Sequence, residues 1–457
     1  MPASPQASAD LPRVLTAKHA MSIVVGIIIG SGIFLVPREM MAATGRVTVV
    51  YAVWIVGGLL SLFGAMSYAE IAAMRPRVGG EYAFLREAYG DLIAFLYTWT
   101  WTIVAKPASI ATIAAGLMRV LANFAAFDFL NRIAFGHLLW EQLAAILATW
   151  IITGLNIVST RESANVQTAL TWLKIVLIVA IAAVCFASLQ HGALHNLATT
   201  YLGARGGIAG FMTALVAALW AYDGWSDVSQ MAGEVRNPQR SLPLALIGGV
   251  AIVGALYMLM ETAIQYVLPA AAIAATDRPA TDALRAIAGS PGAALVTIGM
   301  AVSICATFIG SSLSGARVPF AAASDRLFPR SLAAVHPRFH TPWTSLVLQA
   351  VLSSLLLLAI GKFQALFSLA IFSEWMFYAL TASTVFVFRH REPAAQRPYS
   401  VNGYPITPAL FILAALALVI FSFASEPRNS SIGALVILCG VPIYLWMRRH
   451  QRAAQNA

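Results

Sequence analysis

The sequence predicts an all-α integral membrane protein with twelve transmembrane helices, and three observations lead there. The chain of 457 residues is 59% hydrophobic and 11% charged, whereas globular domains run to roughly 45–50% apolar and about 25% charged residues. Stretches without Asp, Glu, Lys or Arg cover 47–69, 286–316, 339–361, 398–425 and 429–447, and each can supply the roughly 20 residues that a spanning helix needs. Two spans are interrupted by Gly, Ser and Asp where a plain anchor would carry Leu and Ile. A soluble multidomain enzyme, a disordered scaffold and a secreted disulfide framework are excluded by the first two observations.

Counting apolar segments that carry one or two charges, the spans fall at about 20–44, 47–73, 89–120, 138–157, 164–189, 209–233, 241–268, 291–320, 342–361, 364–388, 404–425 and 431–448. The formal charge of +10 would suggest nucleic acid on a soluble domain, but on a membrane chain it marks cytoplasmic loops. With the N-terminus inside, 18 Lys and Arg fall on cytoplasmic segments and nine outside, while Lys106 and Lys174 lie within spans. That bias places both termini in the cytoplasm and removes nucleic acid as a partner. Residues 1–17 lack the apolar core and small-residue cleavage site of a signal peptide, so the first span is expected to stay in the mature protein. The expected location is the plasma (inner) membrane of a bacterium.

Cys185, Cys305 and Cys439 all lie in predicted spans, and the eight His are scattered without CxxC or HExxH spacing. No metal and no cofactor is expected. There is no GxxxxGK[ST] loop either, so transport by this chain would run on a gradient or on exchange rather than on ATP.

The first interrupted span reads Gly26-Ile-Ile-Ile-Gly30-Ser31-Gly32-Ile33-Phe34-Leu35-Val36-Pro37. Its glycines, serine and proline lower helix propensity, and in lipid a broken helix survives only where protein or ligand satisfies the freed N–H and C=O groups. A small-xxx-small packing face accounts for Gly26 and Gly30 but not for Ser31, Gly32 and Pro37. The second interruption is Trp220-Ala221-Tyr222-Asp223-Gly224-Trp225-Ser226-Asp227 in the sixth span. Asp223 would lie inside the membrane, where a carboxylate faces a cavity or a partner, or caps the second half-helix.

At 1.5 Å per residue, Gly30 is roughly 18 Å from Lys18 and Asp223 roughly 21 Å from Ala209, so both breaks fall near the middle of a ~30 Å core. Breaks in spans one and six fit two five-span halves of opposite orientation, the inverted-repeat design of secondary transporters. The halves would be 20–189 and 209–388, followed by two accessory helices over 404–448, with tails over 1–19 and 449–457. Half-helix N-termini suit a carboxylate and unwound carbonyls suit an ammonium, so a zwitterionic amino acid matches both. Ser31 and Gly32 would offer N–H groups to the carboxylate. The carbonyls of Ile28, Trp220, Ala221 and Asp223 would take the amine, with Gly30 in the break itself and Trp220 and Ser226 shaping side-chain selectivity.

Gly30-Ser31-Gly32-Ile33-Phe34 and Ala221-Tyr222-Asp223-Gly224-Trp225 resemble the first and sixth helices of the amino acid–polyamine–organocation superfamily, and its L-type amino acid transporter branch in particular. The likeness extends along nearly the whole chain. It includes Gly64-Ala65-Met66-Ser67-Tyr68-Ala69-Glu70, Gly79-Gly80-Glu81-Tyr82, Lys106-Pro107-Ala108-Ser109, Gly233-Glu234-Val235-Arg236-Asn237-Pro238, Leu242-Pro243-Leu244-Ala245, His340-Thr341-Pro342 and Arg397-Pro398-Tyr399. The resemblance implies a leucine-transporter fold of five plus five spans with two accessory helices, and sodium-independent exchange or proton-linked uptake of amino acids. It carries substrate contacts onto Ile28, Ser31, Gly32, Trp220, Asp223 and Ser226. Animal members usually have Phe at the position of Trp220 and Gly at that of Asp223, so a preference for large neutral substrates is not carried over, and a bulky Trp220 favours smaller ones. The heteromeric members bind a partner subunit through an external cysteine before span four; residues 119–137 contain none, so no disulfide-linked partner is expected.

Lys174 lies roughly 15 Å deep in span five, too far from either surface for its side chain to reach water easily. In similar transporters a lysine here takes the place of a sodium ion, reaching carbonyls of broken helix one and hydroxyls of span eight, for which Ser303 and Thr307 are the candidates. It either stays charged and supports exchange or cycles its proton and couples uptake to a proton gradient. Lys106 and Glu374 are the other intramembrane charges, candidates for gating, for a proton relay or for pairing within the bundle. The expected activity is sodium-independent exchange of neutral amino acids by alternating access. Proton-coupled symport, and a cationic amino acid or polyamine carrier that uses Asp223 or Asp227, are the alternatives. No nucleophile, base and orienting-group set points to an enzyme.

Overall fold

A computed structural model describes residues 11–359, 363–425 and 427–456 of the chain. Residues 1–10 of the expected N-terminal tail, the end of the expected ninth span at 360–361 and Ala457 lie outside the described residues.

The helices run in order as α1 (Ala17–Ile28), α2 (Gly32–Thr44), α3 (Val47–Met74), α4 (Glu81–Tyr89), α5 (Asp91–Thr100), α6 (Lys106–Leu121), α7 (Trp140–Val158), α8 (Thr160–Ala187), α9 (Gly207–Ala221) and α10 (Asp227–Gln230). They continue as α11 (Pro238–Val267), α12 (Ala270–Ala275), α13 (Pro279–Gly315), α14 (Arg317–Ser324), α15 (Trp343–Ala359), α16 (Phe363–Arg391), α17 (Ile406–Ser425) and α18 (Pro427–Asn456). A π-helical turn, Trp101–Ala105, joins α5 to α6. A two-stranded hairpin, β1 (Ile133–Phe135) and β2 (Leu138–Leu139), sits in the loop before α7.

Among the described residues, eight helical stretches are long and apolar enough to cross a bilayer, and α1 with α2, bent by 41° at their junction, forms a ninth; α9 and α15 are shorter apolar helices. Their outer faces are apolar: Leu147, Ile151, Trp172, Leu413 and Ile420 are exposed. On α8 the opposite face, with Lys174, Ile178 and Ile181, is buried. A bundle with an apolar exterior and its charges turned inward is built for lipid.

Local sequence explains the ends. Thr16 caps α1 by a reciprocal pair of bonds with His19, and Ser159 caps α8 through the Glu162 N–H. Gly45, in the left-handed region at φ 71°, stops α2. The helix breaks lie at Ile29–Ser31 and at Tyr222–Ser226. Pro37 is not part of the first break but lies inside α2. The segment after the second break is shorter than a half-span, because α10 has only four residues before a 3-10 turn at Ala232–Glu234.

Loops gather at two ends of the bundle. At the first, Leu15 exchanges backbone bonds with Glu234 and Arg236 (3.0 and 2.7 Å). There Arg389 holds Glu70 through two nitrogens at 2.9 and 2.6 Å, and Tyr82 and Arg86 both reach Asp325 (3.0 and 2.5 Å). At the second, Tyr201 and Gly206 donate to the carbonyls of Gly45 and Ala43 (2.8 and 2.9 Å), and Arg38 pairs with Asp277 at 3.2 Å. The broken helices run between the two ends, so their breaks meet in the interior.

Candidate functional site

The first break frees backbone carbonyls that α1 would otherwise have used, and side chains from three neighbouring helices take them up. Lys174 of α8 is 1% exposed and directs Nζ at three carbonyl oxygens: Gly26 at 2.8 Å, Ile29 at 2.6 Å and Ser303 at 3.0 Å. An ammonium has three N–H donors, and all three are used. On α13, Ser303 Oγ donates to Ile29 O at 2.7 Å and Thr307 Oγ1 lies 3.1 Å from Gly26 O. Ser303 therefore meets Lys174 through its carbonyl rather than its hydroxyl, which is committed to the broken helix. Main-chain oxygens surround this cation, and among the described residues no carboxylate pairs with it.

Tyr257 of α11 joins the two breaks. Its Oη lies 2.6 Å from Ala221 O and 3.0 Å from Ile28 O, one hydroxyl between two unwound segments. These are two of the carbonyls expected to receive an amine; they share the one Tyr257 proton, and Ile28 O also accepts from the Gly30 N–H at 2.8 Å, so the Ala221 carbonyl is the one that keeps a lone pair free. At the start of α2 the first N–H groups have no intrahelical acceptor, and the Ser31 side chain does not cap them.

Small residues let the segments touch. A Cβ on Gly32 would fall 3.2 Å from Ala221 Cβ, and one on Gly224 would fall 2.5 Å from Ile27 Cγ2 on a backbone already at φ 101°. Gly224→Ala therefore adds backbone strain of about 1–3 kcal/mol to a clash. Binding by this variant, read as counterflow in liposomes, is expected to fall at least tenfold. Gly26 packs against Gln167 and Thr171 of α8, whereas a Cβ on Gly30 would meet nothing nearer than Thr307 Oγ1 at 3.7 Å. The small-residue packing face is real at Gly26 and does not extend to Gly30.

Between the breaks lies a cavity of about 120 Å³, room for about four waters at ~30 Å³ each. Seven of the eight residues expected to frame a substrate line it: Ile28, Gly30, Ser31, Gly32, Trp220, Ala221 and Asp223. Ser226 does not. It is fully buried behind the cavity, and its Oγ donates to Tyr378 Oη at 3.2 Å. Thr307, Lys106 and Glu374 also line the cavity, while Lys174 and Ser303 stand behind the carbonyls of the first break.

Lys106 pairs with neither Asp223 nor Glu374 but with Asp227, Nζ to Oδ2 at 2.6 Å, and Ser314 Oγ donates to the same oxygen at 2.7 Å. Asp227 is thereby neutralised. Asp223 does not cap α10, whose N-cap is Ser226; it accepts from Tyr378 Oη at 2.9 Å. The cavity also takes in Ser109 and Thr112 of α6 and Tyr378 of α16, and it owes its link between breaks to Tyr257. Sequence reading missed these residues, because a lone hydroxyl in an apolar span has no local signal and only the packing of distant helices brings it to the site.

The chain resembles known proteins along most of its length. A profile described as amino acid permease matches residues 15–447. The serine/threonine exchanger SteT of Bacillus subtilis is 32% identical, over 96% of this chain and 98% of that protein. The human cystine/glutamate transporter is 29% identical over 96% of this chain and 86% of its own length, and the human b(0,+)-type amino acid transporter 1 is 29% identical over 95% and 88%.

Proposed function

The chain belongs to the amino acid permease family and is a membrane transporter of amino acids, and on that premise we propose that it exchanges small neutral amino acids without sodium. The observation that carries this reading is the cavity of about 120 Å³ between two broken helices, bounded on one side by Trp220. The first N–H groups of α2 would receive the α-carboxylate, and the free lone pair of the Ala221 carbonyl the α-amine. Trp220 limits the side chain, and the hydroxyls of Ser109 and Thr112 suit a polar one. The activity in the name of the Bacillus relative, serine/threonine exchange, agrees with this size and polarity.

In this proposal the fold has twelve spans. Segments 20–189 and 209–388 form the two inverted repeats and 404–448 the accessory helices, and the termini and the ion-paired end face the cytoplasm of a bacterial cell. Lys174 occupies the place of a sodium ion, so that the first break is held in shape without one. The chain works without a disulfide-linked subunit.

The test is counterflow of radiolabelled serine into liposomes that carry the purified chain, with and without sodium. Serine, threonine and alanine are expected to exchange equally well in sodium-free medium. Robust exchange of leucine and phenylalanine but not of alanine and serine would sink the reading. Trp220→Ala is expected to extend exchange to leucine, since removing the indole opens the cavity on the side that limits substrate size. If leucine gains nothing over serine in that variant, Trp220 does not set the limit.

A further inference from the structure

A second polar cluster lies on the other side of the cavity from Lys174. Asp223 and Glu374 line the cavity together, with their carboxyls close enough to interact. Ionised carboxylates only accept hydrogen bonds and repel one another, so the pair gains by holding a proton between them. Tyr378 Oη donates to Asp223 and accepts from Ser226 Oγ. Ser226 and the Tyr97 hydroxyl are in turn the polar neighbours of Glu81, at the start of α4. Glu81 is 0% exposed, and neither of its oxygens makes a hydrogen bond of regular geometry. Glu374 also lines a second, narrow void, shared with Tyr378, Tyr97 and Glu81, that is too small for a water. Hydroxyl and carboxyl groups thus run from the cavity toward Glu81, hydrogen-bonded as far as Ser226, with Glu81 beside the last of them.

The charges around this run do not balance without protons. Around Glu374 stand Asp223 from the second break, Asp227 at the start of α10, Lys106 from α6, Tyr97 from α5 and Glu81 from α4, with Tyr68 of α3 against Tyr378. Glu70, farther along α3, is taken by Arg389 and Arg397. Lys106 is committed to Asp227. That leaves Asp223, Glu374 and Glu81, and three buried carboxylates with no cation would be prohibitively expensive.

We propose that the Asp223–Glu374 pair is a proton-binding site of the transport cycle, and that Tyr378, Ser226 and Glu81 pass its proton between the cavity and the terminal end of the bundle. In the loading step the Glu81 O–H bond breaks and its proton goes to Ser226 Oγ. The Ser226 proton goes to Tyr378 Oη and the Tyr378 proton to Asp223 Oδ1. Each oxygen gains one O–H bond as it loses another, Glu81 is left a carboxylate, and the pair is left with two protons and no net charge. The hydrogen bonds already point this way, from Ser226 to Tyr378 to Asp223.

The inference rests on amino acid exchange, and the experiment separates the two. Liposomes carrying the purified chain are first tested for serine-for-serine exchange at equal pH; its absence overturns the exchange reading and the proton site with it. Liposomes without internal amino acid are then given serine under an inward proton gradient, with an entrapped pH dye. Uptake is expected to rise at least several-fold over the no-gradient control, with acidification that follows serine. Glu81→Gln is expected to keep exchange at equal pH and to lose the gradient-driven part, and Glu374→Gln to lose the dye response. A wild type that exchanges but ignores the gradient overturns the proposal, as does a Glu81→Gln variant with the full gradient effect. Uptake of lysine, arginine or putrescine with no dye response overturns it in favour of a site for organic cations.

Discussion

Replacing Lys174 with alanine is expected to lower serine exchange by at least tenfold while the protein still migrates as a single species in detergent. Nζ contacts the carbonyls of Gly26, Ile29 and Ser303, yet Gly26 keeps the Thr307 hydroxyl, Ile29 keeps the Ser303 hydroxyl, and the Ser303 carbonyl lies within helix α13. The backbone is therefore not orphaned, and the cost of leaving buried acceptors unmade, about 1–3 kcal/mol each, is largely avoided. What the variant loses is the positive charge that balances the oxygens at the break. If that charge is the function, sodium should partly restore exchange in Lys174→Ala and have no effect on the wild type. Lys174→Arg is expected to fail as well, because a planar guanidinium cannot replace a compact ammonium in a site 1% exposed. Full sodium-free exchange by Lys174→Ala would end the sodium-substitute account.

The second large effect is on stability. Arg317 is fully buried, and its guanidinium forks onto Glu234 at 2.8 and 3.0 Å while donating to Thr160 Oγ1 at 3.0 Å. It ties the start of α14 to the segment after the second break and to the start of α8. Removing one partner leaves a buried charge unpaired, a loss of about 3–5 kcal/mol. Arg317→Ala is expected to melt far below the wild type in detergent, and Glu234→Gln to melt at an intermediate temperature. Arg317→Met combined with Glu234→Leu should recover much of the loss, since well-packed apolar replacements of a buried pair are often neutral. The double variant should still bind serine, because neither residue lines the cavity. An Arg317→Ala variant as stable as the wild type would show that this pair does not hold the helices together.

Much of the site was legible in the chain. The interruptions at Ile29–Ser31 and Tyr222–Ser226 were visible because Gly, Ser and Asp inside an apolar span contradict both helix propensity and lipid solubility, and such contradictions accumulate where function requires them. Lys174 and Lys106 stood out for the same reason: a charge in a span needs a partner or a task. Partners were not legible. Asp227 rather than Asp223 or Glu374 takes Lys106, and Ser303 offers Lys174 its carbonyl rather than its hydroxyl, because such choices turn on distances of an ångström or two between helices far apart in sequence. Pro37 marked a break that the chain makes several residues earlier; the proline itself lies in the second turn of α2, where it leaves the Ile33 carbonyl without its helical donor but does not end the helix.

The sequence by itself determined that this is a lipid-embedded helical bundle, where two of its helices fail, and that Lys106, Lys174 and Glu374 are among its buried charges. Hydrophobicity, charge and helix propensity are local or additive along the chain, so they can be read from it. Only the tertiary structure decided that the two failures share one cavity, that Tyr257 bridges them, and that Asp223, Glu374 and Glu81 stand in one run of hydroxyls and carboxyls. Those relations belong to the packing of α6, α8, α11, α13 and α16 around the breaks, where the need to satisfy every polar group away from water selects one arrangement of side chains that no single segment specifies.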